Sequence, residues 1–115
     1  MNLTFNEKVL ILIIRNFDFL RSYGFRIKEM NLVRSPYLIY QSKNIYIRIE
    51  WNEWNWLTIV VQKEYLLFHS HCCNVGILAK KYGSLLDTGS VFEQIYKYAD
   101  FMQKNIDTII NNKTH

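Results

Sequence analysis

The spacing of apolar positions changes period twice along the chain. Between residues 5 and 22 apolar side chains recur at intervals of three and four, which is typical of one buried face of an α-helix. They are Leu10, Ile13, Ile14, Phe17 and Leu20. Thr4 and Glu7 fit a capping box at its start, and Gly24 can supply a left-handed residue at its end. The pattern predicts a first helix over residues 5–22.

Beyond residue 25 the pattern becomes the alternation of β-strands. An extended stretch to Leu32 and a turn at Ser35-Pro36 precede three β-rich runs. The runs cover residues 37–41, 45–51 and 56–63. We expect an antiparallel meander of three to four strands.

The register of this meander follows from the alternation. The second and third runs should pair Trp51 with Leu57, Ile49 with Ile59, and Ile47 with Val61. Ile39 should pair with Ile47. Both loops, 42–44 and 53–55, then have three residues and end in Asn, which tolerates a positive φ better than most residues.

This register assigns two faces to the sheet. The core face should carry Tyr37, Ile39, Ile45, Ile47, Ile49, Trp51, Leu57, Ile59 and Val61. The opposite, outer face should carry Leu38, Tyr40, Tyr46, Arg48, Glu50, Trp56, Thr58, Val60 and Gln62. That outer face is neither cleanly polar nor cleanly apolar, so we expect something to cover it.

The C-terminal half predicts two further helices, and the segment between Tyr65 and Cys73 has no assignment. A short helix over 75–82 should end at Gly83, and Ser90 and Glu93 form a second capping box. The long helix that follows has an apolar stripe of Phe92, Ile95, Ala99, Met102, Ile106 and Ile109. We predict one α+β domain over residues 1–115, with an N-terminal helix, the meander and two C-terminal helices in two layers.

Composition agrees with one folded domain, since 50% of the 115 residues are hydrophobic and 16% aromatic. The net charge of +4 resides in the first half, where residues 1–50 hold eight Lys/Arg against four Asp/Glu. An anionic partner such as nucleic acid is therefore one hypothesis, although the cations form no dense run and match no known nucleic-acid module.

Candidate chemistry is sparse. His69, His71 and Cys72 or Cys73 have donor atoms that zinc favours, but a closed site needs four ligands and the remaining histidine is His115. Adjacent Cys and His residues do not supply the geometry of a nucleophile and its base. No glycine-rich phosphate loop or nucleophile elbow is present in the sequence. We expect no enzymatic activity, no catalytic residue, no metal and no cofactor.

Two features favour a cytoplasmic location. Cys72 and Cys73 are neighbours and cannot connect distant parts of a fold, which argues against a secreted disulfide scaffold. The apolar run Val9–Ile14, between Lys8 and Arg15, is too short for a signal core or a membrane span.

All three tryptophans lie around one predicted hairpin, at positions 51, 54 and 56. Trp51 should belong to the core, whereas Trp54 at the loop tip and Trp56 on the outer face could each anchor a partner. The alternative is that a helix or the chain's own tail folds over them. The predicted partner-binding residues are Tyr40, Tyr46, Arg48, Trp54 and Trp56.

The turn Ser22-Tyr23-Gly24-Phe25, followed by Tyr37-Leu38-Ile39-Tyr40 and Ile45-Tyr46-Ile47-Arg48-Ile49, resembles a group of short bacterial proteins. These are grouped with the immunity proteins of polymorphic toxin systems. The resemblance covers residues 5–110 and implies a single-domain inhibitor that binds and blocks a toxin. Immunity proteins against nucleases tend to be acidic, and this chain is basic.

The sequence therefore leaves two hypotheses for function. The first is a binding domain for a protein, such as a toxin, or for a second copy of the chain, acting through the outer sheet face. The second is a binder of single-stranded nucleic acid, in which Tyr40, Tyr46 and Trp56 stack on bases while Arg34, Lys43 and Arg48 contact phosphates.

Overall fold

A computed structural model describes residues 2–64 and 70–111 and confirms the predicted α+β class. Helix α1 and a 3₁₀ helix precede a five-stranded sheet, and helices α2 and α3 follow it. The helices are α1 Phe5–Asn16, the 3₁₀ helix Asp18–Tyr23, α2 Val75–Lys81 and α3 Val91–Asn111. The strands are β1 Arg26–Asn31, β2 Tyr37–Ser42, β3 Ile45–Trp51, β4 Leu57–Glu64 and β5 Ser70–Asn74.

The predicted first helix is divided into α1 and the 3₁₀ helix. Its capping box is present, since the Glu7 backbone N–H donates to Thr4 Oγ1 at 3.1 Å and the Thr4 N–H donates to Glu7 Oε1 at 2.9 Å. The α-helical geometry ends at Phe17, which has φ −100° and ψ 13°. Gly24 ends the 3₁₀ helix with φ 86°, as a left-handed residue that glycine adopts without strain.

The five strands form one antiparallel sheet in the order β1-β2-β3-β4-β5. The predicted β3–β4 register is confirmed at all three pairs, Trp51 with Leu57, Ile49 with Ile59 and Ile47 with Val61. Asn55 in the connecting loop has φ 61°, as the position of that asparagine predicted.

The predicted β2–β3 register is wrong by one residue. Ser42 pairs with Ile45 across a two-residue turn, Lys43 rather than Asn44 has positive φ, and Ile47 pairs with Tyr40 instead of Ile39. A slip of one residue moves every side chain of a strand to the other face. Leu38 and Tyr40 are therefore buried in the core, while Tyr37 and Ile39 lie on the outer face.

Strand β5 is the element that the sequence did not assign. It pairs with β4 so that Cys73 opposes Val61 on the core face and Cys72 opposes Gln62 on the outer face. Cys73 is buried, and burial raises the pKa of its thiol, which favours the unreactive protonated form. Residues 65–69, whose course was also left open, lie outside the described residues.

Helices α2 and α3 confirm the C-terminal predictions. Asn74 caps α2 by accepting from the Ile77 N–H at 3.1 Å, and Gly83 follows the helix with φ 82°. The predicted stripe of α3 is buried except for the half-buried Phe92, which packs edge-on against Phe5 of α1. The helices share one core with Ile47, Ile49 and Ile59, so the described elements form two layers.

The N-cap of α3 offers a test of where this helix begins. The Glu93 N–H donates to Ser90 Oγ at 3.2 Å, so Ser90→Ala should lower the free energy of unfolding by about 1 kcal/mol. Urea denaturation would measure the change, with Ser35→Ala in an exposed loop as the matched control. Equal effects of the two substitutions would contradict the assigned helix start.

The burial of two tyrosines leads us to expect a loss of stability at alkaline pH. Burial, reinforced by nearby Asp18 and Asp87, raises the pKa of Tyr40 and of Tyr98 to about 12. The folded state therefore holds both protons where the unfolded chain releases them, so their stabilisation is complete below pH 10 and is lost between pH 10 and 12. At about pH 12 the contribution of each tyrosine to the free energy of unfolding should have fallen by roughly 2 kcal/mol.

Denaturation at a series of alkaline pH values would test this expectation. Tyr40→Phe and Tyr98→Phe should each flatten the decline, whereas Tyr96→Phe, at an exposed position of α3, should leave it unchanged. An identical decline in all four proteins would show that these two hydroxyls are not responsible.

Candidate functional site

The outer face of the sheet carries a mixed set of side chains, none of which is buried among the described residues. Its central members are Tyr37, Ile39, Tyr46, Arg48, Glu50, Thr58 and Val60, and we use "outer face" for this set. Arg48 is exposed and the other six are half-buried. Within residues 2–64 and 70–111, then, nothing seals this surface as the helices seal the opposite one.

One cation on the outer face is held by two neighbours. Arg48 forms an ion pair with Glu50, and its guanidinium carbon lies 4.2 Å from the centroid of the Tyr37 ring. The Tyr37 hydroxyl donates to Glu29, and this hydrogen bond raises the pKa of the tyrosine. The charge of Arg48 is thus largely compensated within the face.

A second cation covers the neighbouring tyrosine. Lys28 sits at the irregular point of β1, where the register with β2 shifts, and its Nζ lies 4.6 Å from the centroid of the Tyr46 ring. Gln41 Nε2 donates to the Tyr46 hydroxyl at 3.2 Å. In both cases a cation lies over one side of the tyrosine ring, as cation–π attraction favours.

At the β3–β4 turn, Trp51 is buried as predicted, and of the two alternatives for Trp54 and Trp56 the described residues favour exposure. Trp54 is 78% exposed and Trp56 46%, whereas Trp51 is 1% exposed. The Trp51 indole N–H donates to Asn6 Oδ1 at 3.0 Å, which satisfies its one polar group inside the core. We call residues 51–57 the tryptophan hairpin.

The tip of the tryptophan hairpin is fixed by hydrogen bonds. The Asn52 side-chain oxygen accepts from the backbone N–H groups of Trp54 at 2.8 Å and Trp56 at 3.2 Å. Asn55 Oδ1 accepts from the Val91 N–H at 3.2 Å, and the Asn55 carbonyl accepts from Gln94 Nε2 at 2.6 Å. The loop is therefore attached to the start of α3, and the backbone that carries both exposed indoles is held in place.

Beside the tryptophan hairpin lies a cleft of about 370 Å³. Its walls come from the hairpin, from α2 and from the loop before α3, and we call it the hairpin cleft. Its lining residues include Trp54, Trp56, Ile77, Lys80, Asp87 and Gln94. Sequence patterns do not reveal this cleft, because residues up to 44 positions apart, Trp54 and Tyr98, meet there through packing and none of the α2 or loop residues belongs to a motif.

Four of the five predicted partner-binding residues lie on these surfaces. Tyr46 and Arg48 belong to the outer face, and Trp54 and Trp56 to the tryptophan hairpin. The assignment of Tyr40 to the outer face is wrong, since Tyr40 is 3% exposed on the helix side of the sheet. It lines a separate cleft of about 720 Å³ next to the 3₁₀ helix, together with Asp18 and Arg21.

The histidine and cysteine segment gives no metal centre among the described residues. Among the side chains that the structure describes, which do not include that of His71, no three of His, Cys, Asp or Glu converge as ligands. Cys72 and Cys73 are both free thiols on opposite faces of the sheet. His69, His115 and the side chain of His71 lie outside what the structure describes, so the absence of a metal stays a prediction.

Comparison with known proteins gives no family assignment. No protein-family model, no curated protein and no solved structure matches the chain. Among the described residues, no helix combines the length and the apolar character needed to cross a membrane.

Proposed function

We propose that this protein is a non-enzymatic binding domain whose partner is another protein, bound across the outer face and the tryptophan hairpin. The observation that carries the proposal is the pair of exposed tryptophans, Trp54 and Trp56, on a loop that hydrogen bonds fix in place. Tryptophan is among the residues that contribute most to protein interfaces. A fixed loop also loses little conformational entropy when it binds.

The outer face supports a protein partner better than a nucleic acid. Tyr40, one of three side chains expected to stack on bases, is buried on the other side of the sheet. A cation already covers one side of the Tyr46 ring, and Arg48 is paired with Glu50. A base stacking on that side of the Tyr46 ring would displace Lys28, and a phosphate contact by Arg48 would compete with Glu50.

Salt dependence distinguishes the two classes of partner. Binding that depends on phosphate contacts weakens steeply as salt rises, whereas binding through buried tryptophans should change little between about 50 and 200 mM salt. A single-stranded oligonucleotide and a candidate protein partner, each titrated at both salt concentrations, provide the comparison. Tight, strongly salt-dependent oligonucleotide binding would replace our proposal with the nucleic-acid function.

Within this class we propose immunity to a toxin, which would place the chain in the cytoplasm. The support is the resemblance of its turn and strand sequences to immunity proteins, together with an α+β fold that agrees with what this resemblance implies. Co-expression with the product of the neighbouring gene tests the proposal. We expect a stable one-to-one complex and rescue of growth from a toxic product, with the Trp56→Ala variant as the matched control.

Two results would reject specific parts of this proposal. A neighbouring product that is toxic but neither binds the chain nor is neutralised by it would reject immunity. Sedimentation of the isolated chain as a dimer that Trp56→Ala dissociates would show that the surface serves self-association instead. A monomer is the expected result.

A further inference from the structure

Gln94, which lines the hairpin cleft, has a buried hydrogen-bond acceptor with no partner among the described residues. Gln94 is 1% exposed, and its Oε1 atom is buried without a hydrogen bond. Its Nε2 donates to the Asn55 carbonyl at 2.6 Å and to the Gly89 carbonyl at 3.0 Å. Because both neighbours are acceptors, the amide cannot be reversed, and the unsatisfied atom is an oxygen. Such an atom is costly unless a donor reaches it.

A second acceptor lines the same cleft. The Asp87 carboxylate is about half exposed, at 48%, and its ion pair with Lys80 spans 3.7 Å. This separation exceeds the usual length of a charge-assisted hydrogen bond, so the carboxylate oxygens keep most of their capacity to accept. Gln94 and Asp87 thus place two hydrogen-bond acceptors with unused capacity among the residues that line the cleft.

The remaining walls are aromatic and apolar. Trp54 and Trp56 form one side, and Ile77, which is 57% exposed, lies on α2. Indole is the aromatic ring that attracts cations most strongly. Acceptors together with indole walls suit a cationic group that also has flat apolar surface.

We propose that the hairpin cleft binds an arginine side chain of the protein partner, an inference that rests on the proposed protein-binding function. A guanidinium is planar, has five N–H donors and is only weakly hydrated, so it can lie against an indole while donating to carboxylate and amide oxygens. A lysine ammonium has no flat surface to stack and is more strongly hydrated. The cleft volume of about 370 Å³ is at the lower end of the range for small-ligand pockets, as expected for one side chain.

The test uses two small probes with the same shape and different charge. Nα-acetyl-arginine methylamide is titrated into isotope-labelled protein, and its neutral counterpart, Nα-acetyl-citrulline methylamide, is the control. NMR signals of the Trp54 and Trp56 indole groups and of the Gln94 side-chain amide should shift and saturate with the arginine probe. We expect the arginine probe to bind about tenfold more tightly than the citrulline probe.

Substitutions at three exposed positions test which charges control binding of the arginine probe. Lys80→Met removes the cation that competes for Asp87 and should strengthen binding of the arginine probe about three- to tenfold, and Asp87→Asn should weaken it by a similar factor. Lys81→Met changes the net charge equally, but Lys81 does not line the hairpin cleft, so it should have little effect. Equal binding of the two probes, or equal effects of Lys80→Met and Lys81→Met, would overturn the inference.

The two proposals fail in distinguishable ways. If the protein partner binds but the arginine probe leaves the Trp54, Trp56 and Gln94 signals unchanged, the arginine site is wrong and the protein-binding function stands. If the probe binds the hairpin cleft but Trp54→Ala and Trp56→Ala leave partner binding intact, the partner uses another surface.

Discussion

Replacing Ile49 by alanine should lower the free energy of unfolding by about 2–5 kcal/mol, whereas the same change at Ile39 should cost about 1 kcal/mol or less. Ile49 is fully buried on the core face of β3, and Ile39 is half-buried on the outer face of β2. The cost at Ile49 combines lost transfer free energy with the cavity left in a packed core. Urea denaturation of the two variants measures both changes in the free energy of unfolding. The comparison is direct because the substitution, Ile to Ala, is the same at the two positions.

This pair of substitutions tests the assignment of the two faces directly. The register expected from sequence placed both isoleucines in the core, so it would give similar large costs. The structure separates them because Ile39 pairs with Arg48 and Leu38 pairs with Ile49. Comparable losses at both positions would mean that Ile39 is buried and that the outer face does not exist as described.

Trp54→Ala and Trp56→Ala should each weaken partner binding by at least about 30-fold, or roughly 2 kcal/mol. Each indole can bury about 150–250 Å² in an interface, which makes it a dominant contributor if it contacts the partner. Both side chains are substantially exposed in the free protein, so neither substitution should lower stability by more than about 0.5 kcal/mol.

Isothermal titration calorimetry with the co-expressed partner measures these affinities. Tyr96→Ala is the matched control, since Tyr96 is 53% exposed on α3 and does not line the hairpin cleft. Losses of affinity confined to the two tryptophan variants are expected. An equal loss with Tyr96→Ala would indicate a nonspecific effect of removing exposed aromatic rings.

The difference between the two hairpins shows how far strand patterns predict structure. In β3 every second residue is Ile or Trp and the residues between them are Tyr46, Arg48 and Glu50, so one face of this strand is clearly the more apolar one. The observed register with β4 buries Ile47, Ile49, Ile59 and Val61 together and leaves Val60 on the outer face. In β2 the first four residues, Tyr37–Tyr40, are all apolar or aromatic, and either alternation satisfies the core. The register there depends on the two-residue turn and the positive φ of Lys43, which the sequence pattern does not distinguish from a three-residue loop.

The candidate site also has one part that the sequence predicts and one part that it does not. The exposure of Trp54 and Trp56 follows from their place at a hairpin end, which local alternation fixes. The hairpin cleft depends on how α2 and the loop before α3 pack beside that hairpin, and residues such as Asp87 and Gln94 carry no local signal of this arrangement. Gln94 lies on the predicted helix α3, yet its role appears only once its amide is seen to hold Asn55.

The three tryptophans allow the central claim to be tested within a single NMR spectrum of the isotope-labelled protein. A soluble paramagnetic agent should broaden the indole signals of the exposed Trp54 and Trp56 and spare that of the buried Trp51. When the partner is added, we predict that Trp54 and Trp56 become protected to the level of Trp51, because their rings enter the interface. Partner binding that leaves both indoles as accessible as in the free protein would contradict the proposed binding surface.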